Sequence, residues 1–169
     1  MNLYVSGYID EILQSLPVPV FLAGYFYERE HPSQAVDEGE LLEEPIELQT
    51  IIKRGTLVLA SPSSDEEWMA MCDFAALVGT DSEASTLALA LHRQWSIGVD
   101  EPYSITQFRR HAQHIPLLST PVFMKYWAEQ LSPPPHKIAR AIQNIQRRGY
   151  YLLPSSDPFF VWWKEYANL

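Results

Sequence analysis

Four short apolar runs, Val18 to Ala23, Thr56 to Ala60, Ser96 to Val99 and Pro116 to Ser119, recur between stretches of helical periodicity, and this alternation most constrains the fold. Runs of this length suit buried strands and are too short for ordinary helices. Strands alternating with helices of about 10–15 residues mark βαβ units, in which a parallel sheet is covered on both faces. The expected fold class is therefore α/β, a three-layer α/β/α arrangement around a small, mostly parallel central sheet. With 169 residues, one domain spanning 1–169 is expected, carrying an acidic loop at about 31–45 and a C-terminal helical extension from about 133 to 169.

The helices between these runs have their own signals. Val5, Ile9, Ile12, Leu13 and Leu16 recur at helical spacing and Pro17 closes the pattern, which predicts a helix over 5–15. Gly24 to Glu30 predicts a short helix, whereas Ile46 to Ile52 is ambiguous between strand and helix. Ser64 with Glu67 forms a capping box ahead of an amphipathic stretch, so a helix starts there and Gly79 ends it. On that helix Cys72 reads as a small buried apolar residue beside Met71. Asp81 to Gln94 is rich in Ala and Leu on nearly all faces, which predicts a buried helix. Further helices are expected from Pro102 to about His111, over 121–130 and over 135–148, with a Trp-rich helix at the C-terminus.

Composition excludes several classes. At 47% hydrophobic and 20% charged residues the chain has a globular composition, not a disordered one. No apolar window approaches the ~20 residues of a bilayer span, so no membrane association is expected. Cys72 is the single cysteine, which excludes an intrachain disulfide or a cysteine-based zinc site and suits the cytoplasm. The formal net charge of −9 is unevenly distributed: residues 1–101 carry 18 acids and 4 bases, and residues 102–169 carry 3 acids and 8 bases. The later bases suit either a phosphate-tracking surface or ordinary solvated helix faces.

Chemistry in an open α/β sheet sits beyond the carboxyl ends of the strands. Asp100 stands where the run SIGV ends, and Asp81 and Glu83 open the next buried helix in sequence before it. Each acid alone reads more readily as a turn or helix-start residue than as a ligand. Gathered at one edge they would repel unless a hard divalent cation sat among them, which points to Mg²⁺ or Mn²⁺ and phosphoryl chemistry. The chain has no GxGxxG, GxxxxGK[ST] or GxSxG, so dinucleotide, P-loop and nucleophile-elbow chemistries lack their signatures. His111 and His114 lack an HExxH context and read as solvent-facing. Phe159, Phe160, Trp162, Trp163 and Tyr166 read as a core-docking or dimer-forming face.

The stretch from Phe74 to Tyr126, with GTDSEASTLALALHRQWSIGVDEPYSITQFRRHAQHIPLLSTPVFMKYWA running two residues past it, resembles the PIN-domain family of metal-dependent ribonucleases, which includes bacterial toxins of toxin–antitoxin pairs. The match lies in an acid opening an Ala/Leu-rich helix, a strand ending in Asp, a helix, a strand and another helix. NLYVSGYIDEIL followed by VPVFLAGYFYERE resembles the family's earlier segments. The resemblance implies RNA phosphodiester hydrolysis with Mg²⁺ or Mn²⁺. It assigns catalytic acids to Glu83, Asp100 and Glu28, with Asp81, Glu101 and Glu30 as further metal ligands.

Family members begin with an apolar strand ending in Asp ahead of the segment that NLYVSG resembles, and this sequence starts at Met1 with no such strand. Two explanations stand: a start upstream of Met1, or a degenerate PIN-like domain without nuclease activity. The first implies an RNA substrate. The second implies action through a homodimer or an antitoxin-like protein partner.

Overall fold

The computed structural model describes residues 2–29 and 48–169. In chain order its elements are α1 (Asn2–Val5), α2 (Ile9–Gln14), β1 (Val20–Ala23), α3 (Gly24–Arg29), α4 (Leu48–Lys53), β2 (Leu57–Ala60) and α5 (Asp65–Val78). These are followed by α6 (Asp81–Arg93), β3 (Ile97–Gly98), α7 (Pro102–His111), β4 (Leu117–Leu118), α8 (Thr120–Leu131), α9 (Pro135–Arg148) and α10 (Phe160–Ala167). The fold class is α/β, as the alternation of short apolar runs predicts. The expected acidic loop at about 31–45 lies outside the described residues.

The described chain divides into two compact units, each assembled from stretches distant in sequence. Residues 21–29 and 58–119 form an α/β unit with α3, α5, α6, α7 and the strands, save the first residues of β1 and β2. Residues 2–20, 48–57 and 120–169 form a helical unit.

In the α/β unit the strands join in two pairs, β1 with β2 and β3 with β4. The second pair is parallel, with Ile97 opposite Leu117 and Gly98 opposite Leu118. Parallel strands need a crossover, and α7 supplies it. Pairing is confined to two residues on each side, extended by the Val99 N–H donating to Leu118 O at 2.9 Å. Asp100 is therefore the first residue past the ladder. The core of this unit is built from Val78, Ala84, Leu87, Ala88, Ile97 and Phe108, each nearly or fully buried. Burying one such aliphatic side chain contributes about 1.5–3 kcal/mol.

Helix starts in this unit follow their sequence signals. Ser64 Oγ accepts the Glu67 N–H at 3.2 Å to begin α5, and Gly79, at φ +95°, ends it. That positive φ is the left-handed conformation glycine adopts without steric cost. Met71 and Val78 are the aliphatic residues α5 buries most deeply, while Cys72 is exposed. The expectation of a buried Cys72 is thus corrected: one residue beyond Met71 is about 100° further round the helix, which turns the thiol away from the core.

In the helical unit the expected helix over 5–15 is broken into α1 and α2. Ser6 Oγ accepts the Tyr8 N–H at 3.0 Å and donates to Leu3 O at 2.5 Å, and Gly7 sits at φ +83°. A serine bonding to its neighbours' backbone offers an alternative to the helical ladder, and here that alternative prevails. Of the ambiguous segment at 46–52, the described residues 48–52 are helical, in α4, which buries Leu48 and Ile51. Helix α9 buries Ile138, Ala139, Ala141, Ile142 and Ile145 and packs against α1 and α10. Among the described residues, Trp127 of α8 and Trp163 of α10 are the largest fully buried side chains. Trp162 and Tyr166 are only half-buried, with ring centroids 5.3 Å apart and planes inclined by 56°.

Candidate functional site

The acids singled out by the sequence lie at the starts of α6 and α7 and at the end of β3. Thr80 caps α6: its Oγ1 accepts the Glu83 N–H at 3.2 Å and donates to Glu83 Oε2 at 2.9 Å. Glu101 caps α7, with Oε2 accepting the Ser104 N–H, and Pro102 occupies the first helical position. The proline loses nothing there, because that N–H has no helical partner. These N–H groups hold the Glu101 carboxyl below its usual range, the Ser104 N–H foremost, followed by that of Tyr103.

Ser104 joins the two caps. Its side chain is buried at 3% exposure, and its Oγ lies within hydrogen-bonding reach of both Glu83 Oε1 and Glu101 Oε2, the latter at 2.8 Å. A serine hydroxyl carries one proton and can donate fully to only one acceptor. Each carboxylate also has a donor of its own, the Thr80 hydroxyl for Glu83 and the Ser104 N–H for Glu101. Glu83 and Glu101 come from elements 18 residues apart and are brought together here.

The other sequence-derived acids are placed less closely. Asp100 is half-buried directly after β3, and Asp81 is exposed in the first turn of α6. Glu28 lies on α3, which packs against α6. Glu30 falls outside the described residues. Among the described residues, no three His, Cys, Asp or Glu side chains are grouped closely enough to hold a metal ion. The Glu83–Ser104–Glu101 cluster itself offers only hard oxygen donors. That chemistry fits Mg²⁺ or Mn²⁺, since Mg²⁺ sites commonly use one or two carboxylates and retain several waters.

Ser104 was absent from the sequence-derived set, although a signal for it existed. An acid followed at once by Pro, with Ser three residues on, is the spacing of a capped helix start whose third residue faces back toward the cap. The link to Glu83 could not be read this way, because it depends on how α7 packs in the tertiary structure.

A second polar constellation in the α/β unit is structural. Arg93 Nε donates to Glu67 Oε1 at 2.6 Å, and its Nη2 donates to Glu67 Oε2 at 2.9 Å and to Ser61 O at 3.0 Å. The Ser63 N–H and hydroxyl also donate to Glu67 Oε2. Hydrogen bonding from Arg93 lowers the Glu67 carboxyl to about 2, while burial opposes the shift, and the same pairing raises Arg93. The guanidinium lies 4.9 Å from the centroid of the Trp95 ring, which stacks on Phe21 at 4.0 Å. The Arg93 Nε and Nη2 donors and both Ser63 donors are directed to internal acceptors, so the cluster ties the β2–α5 turn to the end of α6. His111 is half-buried with its ring 6.0 Å from that of Phe74, while His114 is exposed. Among the described residues, no helix is long and apolar enough to cross a membrane.

Compared with models of known protein families, with curated proteins and with solved structures, the chain matches none.

Proposed function

We propose that the chain is a PIN-like ribonuclease in which Glu83 and Glu101 would hold Mg²⁺ or Mn²⁺, with Asp100 and Glu28 as further carboxylates. The observation that carries this reading is the convergence of the Glu83 and Glu101 carboxylates on the Ser104 hydroxyl at the starts of α6 and α7. A divalent cation held there would lower the pKa of a bound water for attack on phosphorus. The chain's own groups do the rest. Ser104 orients Glu83, the α7 N–H groups keep Glu101 ionised, and Asp100 adds negative charge where β3 ends. The single cysteine suits a cytoplasmic setting.

A second reading rests on a different feature of the same site. The hydrogen bonds of Glu83 and Glu101 are those of helix caps, and no group of three metal-binding side chains is formed among the described residues. That arrangement equally suits a catalytically silent PIN-like protein acting as a homodimer or with an antitoxin-like protein partner.

Calorimetric titration with Mn²⁺, run beside RNA cleavage assays, separates the two. On the nuclease reading the wild type binds Mn²⁺ and cleaves RNA, while Glu83→Gln/Asp100→Asn loses both and keeps its circular dichroism. A wild type that neither binds nor cleaves, yet sediments as a dimer, would establish the silent reading instead.

A further inference from the structure

We propose that the outer face of α10 docks on the same face of a second copy of this chain, the two helices running parallel about a two-fold axis. The surface lies in the helical unit and holds whichever reading of the acidic site is correct.

Helix α10 has two faces. One carries Trp163, buried beside the Tyr151 ring, with Trp162 and Tyr166 on its flank and the Lys125 ammonium 5.3 Å from the Trp162 ring centroid. The opposite face is a shallow groove of about 360 Å³ lined by Phe160, Val161, Lys164, Glu165 and Asn168. Steps of one, four, five and eight residues from Phe160 fall on one side of a helix. Val161 is 70% exposed on that face, and Lys164, Glu165 and Asn168 are exposed around it.

The charges point to what covers this face. Lys164 and Glu165 are a base and an acid at adjacent positions, and neither forms an ion pair among the described residues. They stand on either side of the line joining Val161 to Asn168, because each residue advances the helix by about 100°. When two copies of the face meet about an axis parallel to the helices, what lies left of that line in one copy meets what lies right of it in the other. Lys164 then faces Glu165 of the partner subunit on both sides of the seam. An antiparallel pair instead brings Lys164 to Lys164 and Glu165 to Glu165, which repels. Along the parallel seam Val161 packs on Val161 of the partner subunit. Asn168, seven residues on, meets Asn168 of the partner subunit, and an asparagine on such a seam fixes register.

The same charge pattern disfavours other occupants. A nucleic acid strand or an acidic peptide would be repelled by Glu165, and a basic peptide by Lys164. A helix of eight residues is about 12 Å long, so the contact belongs among the small interfaces, below about 1,200 Å². Such a dimer forms as concentration rises and is not permanent.

The test is sedimentation equilibrium of the full chain over a concentration series, in EDTA so that no metal bridges two copies. Wild type passes from monomer to dimer, and Val161→Glu stays monomeric with unchanged circular dichroism. Lys164→Glu and Glu165→Lys each weaken association roughly tenfold, since two attractive contacts become repulsive. The double swap Lys164→Glu/Glu165→Lys restores association, as does mixing the two single variants, because unlike charges again face each other. Glu83→Gln/Asp100→Asn associates like wild type; a dimer that this variant loses belongs to the α/β unit and overturns the surface. A wild type that is monomeric throughout, or a dimer that Val161→Glu leaves intact, overturns it too. Single swaps that associate like wild type, or a double swap no better than the singles, overturn the parallel seam. Failure of wild type to cleave RNA with Mn²⁺ sinks the nuclease reading and leaves this surface standing.

Discussion

The two units of this chain specify their helices by different means. In the α/β unit α5, α6 and α7 each begin at a residue whose side chain accepts a backbone N–H: Ser64, Thr80 and Glu101. In the helical unit α2, α9 and α10 begin at Tyr8, Pro134 and Phe159, and none of these side chains makes a capping bond. Charge divides the same way: residues 21–29 and 58–119 hold nine acids and four bases, whereas 2–20, 48–57 and 120–169 hold five acids and eight bases. Local polar chemistry sets element boundaries in the first unit. In the second, burial of large apolar side chains from distant stretches does most of that work.

If that contrast is correct, the largest single effects belong to apolar truncations. Trp127→Ala in the helical unit should cost about 3–5 kcal/mol, as should be seen by urea denaturation, because a fully buried ring leaves a cavity the helices cannot close. Leu87→Ala in the α/β unit should cost about 2–5 kcal/mol by the same mechanism. A loss for Trp127→Ala no larger than that of a cap substitution would break the comparison.

Next in size is the Glu67–Arg93 pair, the polar element that most distinguishes the α/β unit. Arg93→Met leaves a carboxylate at 7% side-chain exposure without its partner. The expected loss is about 2–3 kcal/mol at neutral pH, at or below the usual cost of breaking a buried pair because Arg93 is a quarter exposed. Since the Glu67 pKa is lowered to about 2 in the folded chain from the ordinary 4.5, its stabilisation is fully present above about 4.5 and lost as pH falls toward 2. Glu67→Gln should therefore flatten the acid limb of the stability profile between those values. An unchanged limb would show that the pair contributes nothing to acid stability.

Removing a cap is a smaller change. Ser64→Ala and Thr80→Ala should each cost about 1 kcal/mol by thermal melting. Thr80→Ala carries a second readout, since the Thr80 hydroxyl also donates to Glu83: any Mn²⁺ affinity should change with it but not with Ser64→Ala.

This difference between the units explains what could be read from the sequence. The starts of α5 and α7 and the end of α5 at Gly79 were legible because caps, Pro at the first turn and left-handed glycine are local signals. The break between α1 and α2 was not, because Val5, Ile9 and Ile12 keep helical spacing across a turn that Ser6 and Gly7 impose. The exposure of Cys72 is not legible for a related reason: an amphipathic pattern does not declare on which side of Met71 the buried face ends. At the candidate site Glu83, Asp100 and Glu101 were legible by position. Ser104, which links two of them, depends on packing between α6 and α7 that no spacing rule encodes.

The smallest predicted effect concerns helix ends, where the two units resemble each other. Helices α6 and α8 are both followed by a non-glycine residue in the left-handed region, Gln94 at φ +55° and Ser132 at φ +46°. Glycine relieves the clash of a Cβ there, worth about 1–2 kcal/mol, but loses about 0.5–1 kcal/mol through the greater freedom of the unfolded chain. Ser132→Gly should therefore stabilise the protein by roughly 0.5 kcal/mol, since the balance of those terms is favourable. Gln94→Gly should gain nothing, because its Nε2 donates to Leu91 O at 2.7 Å and that bond is lost with the side chain. Thermal melts of the two variants in parallel check this difference. Equal gains would mean that the Gln94 bond makes no net contribution, and that polar side chains at the end of α6 do not act as those at its start do.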